Sequence, residues 1–519
     1  AGHMFLTTEG VFGVPIGVSV SFIYLFVLFG SLLERAGAGQ YFINLAFSLL
    51  GKYRGGPAKA SVIASGLTGM VSGSSTANVV TVGTFTIPLM KKAGLSRTKA
   101  GAIEVAAGVN GQLMPPIMGA AAFIIAEFLG MTYTNVMMAA VIPAFACYLS
   151  LFFIVHLESC KIGLKGIDQS EYHSRFKIFL SGLHYLTPIL ILLYTLLILK
   201  ESAISAAFNA IGFLFLIMIF QEPVKKLAAG EKVGLNDALL GFSDIFWAMV
   251  TAAKSMTTIA IATGLAGIIV GSISLTGLGQ VLSDIVEQLA GNNIILILIL
   301  TAVMSLILGM GLPTTANYIV VSSLVAPVIL FLAHKNGFLI PAIAVHLFVF
   351  YFGILADDTP PVGIAAYAAA GIAKANPVTV GMQGFFYDLR TAILPFAFFF
   401  NNKLMLIESI DAKDPLDAKG IVWMSNPFEI VLVFGMAIVG MFAFSSVLQG
   451  YFVTKVRIWE RILLLLVVPL TLVPNICARY SVIPNEYVGY MIGTAIYFFV
   501  FMTQWGKNQK DKAASKAAA

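Results

Sequence analysis

The chain has 519 residues, of which 59% are hydrophobic and only 11% are charged, whereas soluble proteins carry about 25% charged residues. So little charge cannot cover a soluble protein of this length, and the composition therefore excludes a soluble enzyme or binding protein. The apolar stretches run for about 20 residues or more, as in membrane helices, and not for the roughly 10 residues of barrel strands. The predicted fold class is an all-α polytopic membrane protein.

In chain order, the apolar stretches predict eleven membrane spans and two segments, 60–90 and 292–333, that do not fit a full crossing. Most of the 31 Lys and Arg residues then fall on one side, which the positive-inside rule makes cytoplasmic. The N-terminus is thereby predicted on the periplasmic side and the C-terminus in the cytoplasm. The spans are 11–33, 100–128, 135–157, 178–199, 203–220, 248–273, 338–371, 383–402, 428–447, 462–477 and 486–505.

The segment 60–90 has basic residues on both of its sides, so both of its ends are predicted to face the cytoplasm. Its length is too short for two crossings of about 20 residues each. We therefore predict a re-entrant hairpin, which enters from the cytoplasm and turns back at mid-membrane. The segment 292–333 has no such charge at its start, and we predict a second hairpin that enters from the opposite side.

Three blocks of sequence recur in the same order at a nearly constant offset. Together with the opposite entry of the two hairpins, they predict inverted repeats at about 11–143 and 248–402, the architecture with which secondary transporters expose one site alternately to two sides. The matching blocks are Gly37–Gln40 with Gly277–Gln280, Ser75–Asn78 with Thr314–Asn317, and Pro115-Pro116 with Pro360-Pro361. The predicted divisions are a transporter core at 1–405, inter-repeat helices at 144–247, a charged linker at 406–427, extra C-terminal helices at 428–505 and a basic tail at 506–519.

Each predicted hairpin turns in a polar stretch of small residues, Ser72–Asn78 in the first and Gly309–Asn317 in the second. Irregular backbone at membrane depth is tolerated only where it is buried in protein or lines a wet cavity. Backbone carbonyls and Ser, Thr and Asn oxygens suit a hard cation such as Na⁺, and helix N-termini attract anions. The tips are therefore candidate ion and substrate sites.

Adjacent prolines interrupt two long apolar helices, at Asn110–Pro116 and at Leu355–Pro361. Proline removes a backbone donor and leaves a carbonyl of the preceding turn unpaired, so we predict broken helices at both places. The second break contains Asp357 and Asp358, and an ionisable pair inside a membrane is by default a functional hypothesis. These carboxyls either bind a cation or carry a proton.

Two other groups of polar residues have a structural interpretation. Glu104 lies near the inner end of its predicted span, and we expect its carboxyl to extend to the membrane interface. Phe386–Arg390 is expected to stabilise the start of a helix.

Several of these motifs resemble, in the same order, the large membrane subunit of TRAP transporters, and most closely that of the TAXI subtype. The resemblance spans about 5–405 and implies a bacterial inner-membrane importer of a small organic anion. It further implies an elevator mechanism driven by an ion gradient, usually of Na⁺. The motifs are Thr7–Gly10, Arg54–Lys59, Ser72–Asn78, Met114–Ala120 and Ala356–Pro361.

The resemblance also implies partners. A periplasmic binding protein would deliver the organic acid, and a small four-helix membrane subunit would be a separate chain or a fused part missing from this sequence. Membrane lipid would surround the assembly.

The resemblance assigns candidate site residues as well. The first Na⁺ site would use Ser74, Ser75 and Asn78 with backbone carbonyls near Gly108 and Gly111. The second Na⁺ site would use Thr314, Thr315, Asn317, Gly353, Asp357 and Asp358. The substrate would lie between the tips, near Thr76, Gln112, Pro115, Pro116, Thr359 and Pro360.

Alternatives from other classes stay open. The same importer could be coupled to H⁺ through Asp357 and Asp358, and an ion channel would also use polar half-helices. A membrane-embedded enzyme is disfavoured because the sequence contains no nucleotide-binding GxxxxGK[ST] loop, no HExxH zinc motif and no GxSxG nucleophile motif. We predict a protein that is not an enzyme and does not bind nucleic acid.

Overall fold

A computed structural model describes residues 2–8, 10–164, 166, 175–278, 281, 285, 288, 293–410 and 420–518. Among these residues, all regular structure is helical except for one two-stranded ribbon. In the described part of the chain, seven helices are long and apolar enough to cross a bilayer, and a helix pair bent by 55° would give an eighth. Large apolar side chains such as Phe208, Phe242 and Phe246 point outward, each more than half exposed, as a lipid-facing surface requires. The predicted all-α polytopic membrane fold is confirmed.

The helices of the first half include the first hairpin and the first broken helix. They are α1 Gly2–Leu6, α2 Val14–Ala36, α3 Ala38–Leu50, α4 Gly56–Ser72, α5 Ser75–Lys92, α6 Arg97–Asn110, α7 Ala120–Phe128, α8 Tyr133–Lys161, α9 Arg175–Ser181, α10 Leu183–Leu197 and α11 Ala203–Ala228.

The second half contains the corresponding elements and an additional C-terminal group. They are α12 Leu235–Thr276, α13 Ile294–Gly309, α14 Thr314–Lys335, α15 Ala342–Leu355, α16 Ile364–Ala373, α17 Pro377–Phe400, β1 Ile407–Ile410, β2 Ile421–Trp423, α18 Pro427–Gln449, α19 Ile458–Leu472, α20 Pro474–Arg479 and α21 Glu486–Ala518.

Both hairpins are pairs of packed helices joined by a tight turn, α4 with α5 and α13 with α14. The first turn needs Gly73, because its φ is +60° and a Cβ there would come within 2.7 Å of the Met118 carbonyl oxygen. Ser74 caps α5 by accepting a hydrogen bond from the Ala77 amide. The predicted start of the second hairpin at 292 lies outside the described residues.

Both predicted breaks are present. The first separates α6 from α7 by a 3₁₀ turn, Gly111–Leu113, and an irregular stretch, and the second separates α15 from α16. Each contains its pair of prolines, joined by a cis peptide bond. Residues 111–113 and 116–119 of the first break and 356–358 of the second break are buried, whereas Pro361 and Val362 of the second break are exposed.

Most of the helices that precede the two-stranded ribbon form two groups. The hairpins, broken helices, α8 and α17 pack on one another, and we call this group the hairpin body (α4–α8 and α13–α17). Helices α2 and α9–α12 form a second group, the frame, in which Arg35 and Asp244 make an ion pair at 2.9 Å. The two groups meet where α12 packs on α14 and where α2 packs on α4 and α7, and Thr81 donates a hydrogen bond to Glu34 across the boundary at 2.8 Å.

Some predicted boundaries are wrong. Helix α3 was not expected and lies between the frame and the hairpin body, because its apolar face packs on α4 while polar residues such as Gln40 stay exposed. Helix α12 begins at Leu235, thirteen residues before the predicted 248, since Asp237 accepts from the Gly234 amide at the N-terminus and the helix contains no proline. The predicted span 462–477 is interrupted at Val473, directly before Pro474.

The predicted linker 406–427 is not uniformly irregular. Its ends form the antiparallel strands β1 and β2, in which Ile407 pairs with Trp423 and Ile410 with Ile421. The charged middle, 411–419, lies outside the described residues. The predicted tail is helical to Ala518 as a continuation of α21.

Candidate functional site

The two repeats meet at the carboxylate of Asp357. One of its oxygens, Oδ2, accepts from Ser75 Oγ at 2.5 Å, from Thr314 Oγ1 at 3.1 Å and from Gln112 Nε2 at 3.2 Å. The donors come from the first hairpin tip, the second hairpin tip and the first break, while Asp357 itself belongs to the second break. All four irregular segments thus converge on one carboxylate that is 6% exposed.

These four residues are related by the repeat. Ser75 and Thr314 occupy equivalent positions in the two hairpins, and Gln112 and Asp357 occupy equivalent positions in the two breaks. Equivalent positions of the two repeats therefore meet at one centre, an arrangement compatible with the predicted inverted repeats. One repeat supplies an amide and the other a carboxyl group, so the centre contains a single ionisable group, Asp357.

The two hairpin asparagines are held in the same way. Asn78 Nδ2 donates to the Ser65 carbonyl at 2.9 Å, and Asn317 Nδ2 donates to the Ser305 carbonyl at 3.1 Å. Each bond joins the two halves of one hairpin and fixes the orientation of the amide. The opposite oxygen, Oδ1, is buried in both residues, and no donor within the described residues reaches it. Such an oxygen is costly to bury unless a donor or a cation pairs with it.

Glycines bring each break against its hairpin. A Cβ on Gly111 would lie 2.8 Å from the Gly69 Cα and 3.0 Å from Asn78 Nδ2. In the second repeat, a Cβ on Gly309 would overlap both Asn317 Nδ2 and the Ala356 Cβ. The asparagine amides are therefore enclosed by backbone on the side of the break.

Gly309→Ala is expected to displace the Asn317 amide and lower the free energy of unfolding by about 1–3 kcal/mol, the usual cost of overpacking. The matched control is Gly371→Ala in helix α16, where no atom lies within 4 Å of the added Cβ. That control should be neutral or stabilising by about 0.5–1 kcal/mol, because alanine favours helix. SDS titration in mixed micelles measures both, and equal effects of the two variants would contradict the close packing.

The other predicted site residues surround this centre. Gly108 packs on Val79, Gly353 lies beside Asn317, and Thr359 Oγ1 donates to the Leu355 carbonyl at 2.7 Å. Thr315 and Pro116 are buried, Thr76, Pro115 and Pro360 are partly buried, and Ser74 is exposed at the tip. The predicted set therefore lies at the tips and the breaks, with Ser75, Gln112, Thr314 and Asp357 in direct contact.

Asp358 is separated from the tips. Its carboxyl is fully buried and faces that of Asp388, and no N–H or O–H group of the described residues donates to it. Asp388 in turn accepts from Arg390 Nη1 at 2.8 Å and from Asn110 Nδ2 at 2.6 Å. Asp357 and Asp358 therefore belong to two different polar groups.

The expectation that Phe386–Arg390 stabilises a helix start is wrong. Helix α17 begins at Pro377, and Asp388 and Arg390 lie in its middle, fully buried. They form a network with Asn110, Cys147 and Thr391, in which Thr391 Oγ1 donates to Asn110 Oδ1 at 3.1 Å. The signal available in the sequence was the cost of an ionisable pair within an apolar segment, the argument that identified Asp357.

The expectation for Glu104 is also wrong. Its side chain does not reach the interface but is fully buried, where Oε2 accepts from Ser61 Oγ at 2.5 Å and from Thr86 Oγ1 at 2.6 Å. These bonds join both halves of the first hairpin to α6. The Glu104 carboxyl therefore stabilises the packing of the first hairpin on α6, away from the hairpin tip.

The donor set at the centre defines its chemistry. In the described residues, no group of three or more His, Cys, Asp or Glu side chains could hold a metal ion. The ligands available beside the tips are amide, hydroxyl, carbonyl and carboxylate oxygens, which suit an alkali cation and not a transition metal.

Comparison with protein families gives two matches. The sequence model of the family described as "Tripartite ATP-independent periplasmic transporter, DctM component" matches residues 3–412. The model of a domain of unknown function, DUF3394, matches residues 430–491. The first match includes all of the hairpins and breaks, and the second lies within the additional C-terminal helices.

Comparison with individual proteins gives distant relatives. The chain is 21% identical over 364 residues to the 2,3-diketo-L-gulonate TRAP transporter large permease protein YiaN of Escherichia coli (strain K12), covering 67% of this chain and 76% of that protein. It is 24% identical over 357 residues to the sialic acid TRAP transporter large permease protein SiaM of Vibrio cholerae, covering 67% and 76%. It is 28% identical over 167 residues to the C4-dicarboxylate TRAP transporter large permease protein DctM of Rhodobacter capsulatus, covering 30% and 38%.

Proposed function

Because this chain belongs to the DctM component family of the tripartite ATP-independent periplasmic transporters, we propose that it is the large membrane subunit of a secondary-active importer. Its substrate is a small organic anion, which a periplasmic binding protein delivers and which crosses the bacterial inner membrane. The relatives YiaN, SiaM and DctM carry the names of acids, which supports a carboxylate substrate. Within the family, the motifs of the sequence favour the TAXI subtype.

The observation that carries the proposal is the convergence on Asp357. A carrier needs one site that both halves of the protein build, and Ser75, Thr314 and Gln112 meet there with a carboxylate from the other break. Since Asp357 is negative, an organic anion can approach it only with a cation between them or after protonation. The geometry therefore favours co-transport of a cation with the substrate.

Na⁺ is the coupling ion that we propose. Asn78 Oδ1 and Asn317 Oδ1 are buried without a donor among the described residues, one in each hairpin, and are held in place by the bond on the other side of the amide. Each of these two oxygens fits one ligand of a Na⁺ site. In the first repeat, Ser74, Ser75 and the carbonyls near Gly108 and Gly111 complete the site. In the second repeat, Thr314, Thr315 and the carbonyls near Gly353 complete it.

The division of the helices supports an elevator mechanism, which is part of the proposal. The hairpin body holds the whole Asp357 site, whereas the frame contributes none of the groups that contact this carboxylate among the described residues. Movement of that body against the frame and its partner subunit would carry the site across the membrane without dismantling it. An ion channel is disfavoured, because its pore would lie between symmetric elements and not inside one body.

A salt-dependent unfolding experiment tests Na⁺ coupling. We expect the purified protein to unfold at a higher temperature in NaCl than in KCl or choline chloride of equal ionic strength, because an ion that binds only the folded state stabilises it by about 2.7 kcal/mol at 100 times its Kd. Asn78→Ala and Asn317→Ala should each reduce this difference. Asn44→Ala, at an exposed position in α3, serves as the control and should retain it.

Equal unfolding temperatures in the three salts would count against Na⁺ and favour the second candidate, H⁺ coupling. The observation behind that candidate is that Asp358 faces Asp388, an arrangement in which two carboxyls beside one arginine can share a proton. Dissipation of a pH gradient by reconstituted protein, lost in Asp358→Asn, would then be the expected result.

A further inference from the structure

The four C-terminal helices, α18–α21, form a unit of their own. Helix α19 packs between α18 and α21. Gln504 of α21 ties this unit together, because its Nε2 donates to Glu460 at 2.7 Å and its Oε1 accepts from the amides of Val453 and Thr454 at 3.0 and 2.9 Å. This unit contains the segment that matches a domain of unknown function.

Near one end of α8, this unit is attached to the hairpin body. The ring of Phe442 in α18 stacks on Phe153 of α8, with their centroids 4.2 Å apart. Close by, Lys161 at the end of α8 donates to the carbonyl of Gln449 at 3.4 Å. Helix α8 is itself bound to the broken helix, since Tyr148 donates to the Ala107 carbonyl at 2.6 Å. Contacts thus lead from α18 through α8 to α6, the helix that precedes the first break.

A second attachment lies at the loop that comes after the second hairpin. Arg479 of α20 donates to the carbonyls of Gly337 and Asn336 at 3.3 and 3.4 Å, and its guanidinium lies 4.0 Å from the centre of the Phe338 ring. These three residues come directly after α14. The unit therefore also holds the end of the second hairpin.

A third attachment joins the unit to the end of α17. Lys403 makes ion pairs with Glu429 of α18 at 2.7 Å and with Glu486 of α21 at 2.5 Å. The neighbouring Asn401 donates to the Leu472 carbonyl at 2.9 Å. Both acidic partners bind the same amine of Lys403. Because the Lys403 side chain is only about one fifth exposed, these ion pairs are stronger than a surface ion pair.

The frame offers no comparable attachment. Between α18–α21 and the frame helices α2 and α9–α12, the described part of the chain contains no side-chain hydrogen bond, ion pair or aromatic ring contact. All three attachments lead instead to α8, α14 and α17, on which the hairpins and breaks are mounted. A displacement of the hairpin body that left α18–α21 behind would break all three at once.

We propose that α18–α21 are a passenger of the hairpin body, meaning that these four helices move together with the hairpins and not with the frame. This inference rests on the elevator mechanism proposed above. The C-terminal unit binds the face of the hairpin body that α8 and α17 form. This face therefore contacts neither lipid nor a stationary subunit during transport.

Electron–electron distance measurements on spin-labelled protein test the proposal without a known substrate. The labels replace three exposed lysines in a background with Cys160→Ser and Cys477→Ser: Lys92 on the hairpin body, Lys232 on the frame and Lys455 on the C-terminal unit. Distances are recorded pairwise in NaCl and in choline chloride. We expect the 92–232 and 455–232 distances to be bimodal or to shift together, while the 92–455 distance stays single and constant.

The possible outcomes separate the two proposals. If 92–232 varies and 455–232 does not, the C-terminal unit belongs to the frame, and the passenger proposal is overturned while the elevator stands. If 92–232 is single and constant in both salts, the elevator fails, and the passenger proposal fails with it. A varying 92–455 distance overturns the passenger proposal alone.

A variant of the attachments gives a second test. Phe442→Ala combined with Arg479→Ala removes two of the three attachments, and we expect the 92–455 distance distribution to broaden. Phe498→Ala, on the same unit but 55% exposed, should leave the distribution unchanged. An unchanged distribution in the double variant would overturn the assigned binding surface.

Discussion

Asp357→Ala is expected to remove the Na⁺-specific rise in unfolding temperature and to lower the free energy of unfolding by about 3 kcal/mol. The change leaves the hydroxyls of Ser75 and Thr314 and the amide of Gln112 without their common acceptor, and each buried unpaired donor costs about 1–3 kcal/mol. Some of this cost is recovered because hydroxyls rotate to other acceptors. Unfolding in SDS and the comparison of NaCl with KCl measure the two effects separately.

Two further variants make that result specific. Asp357→Asn keeps the size of the side chain and one acceptor oxygen, so it should unfold more like the wild type while still losing the response to Na⁺. Glu408→Ala removes an exposed carboxylate outside the site and should change neither property. A Na⁺ response that persists in Asp357→Ala would refute a role for this carboxylate in cation binding.

Arg390→Ala is expected to have the largest effect on stability, a loss of about 3–5 kcal/mol, the usual cost of breaking a buried ion pair. Arg390 and Asp388 are both fully buried, and the arginine also donates to the Tyr387 carbonyl and, at 3.4 Å, to that of Cys147. Its loss leaves the Asp388 carboxylate without a countercharge in an apolar surrounding. The free energy of unfolding in mixed micelles measures the loss.

A double variant distinguishes the lost charge pair from lost packing. In Arg390→Met with Asp388→Asn, neither member of this ion pair remains charged, and replacement of a buried pair by neutral groups is often nearly neutral. We expect this variant to be more stable than Arg390→Met alone by about 2 kcal/mol, since interacting residues couple by roughly 0.5–3 kcal/mol. A double variant as unstable as Arg390→Met would indicate that packing, not the unpaired charge, dominates.

Local signals in the sequence were sufficient for the membrane fold and for the position of the hairpin tips and breaks. Runs of apolar residues predicted the helices, since burial of about 20 consecutive apolar residues in lipid needs no partner elsewhere in the chain. Paired prolines and polar tips predicted the breaks and turns, because each acts on its own backbone. The recurrence of Ser75–Asn78 at Thr314–Asn317 identified the two tips as equivalent.

Contacts between distant residues had no such local signal. That Ser75, Gln112 and Thr314 share one carboxylate, and that Asp358 turns away to Asp388 while its neighbour Asp357 does not, depends on the approach of α6, α14 and α17. Likewise, no sequence neighbour of Glu104 predicted that Ser61 and Thr86 would donate hydrogen bonds to its carboxylate. Na⁺ coupling, the TAXI subtype and the elevator mechanism stay predictions.

The sequence by itself determined that this protein is an all-α membrane protein with repeated polar turns and breaks, because hydrophobic length and proline act over a few residues. Only the tertiary structure decided which of its buried acids meet one another and which helices the C-terminal unit contacts. The physical reason is that a buried polar group takes its properties from the donors and charges around it, and packing brings these from 18 to 282 residues away for Glu104 and Asp357.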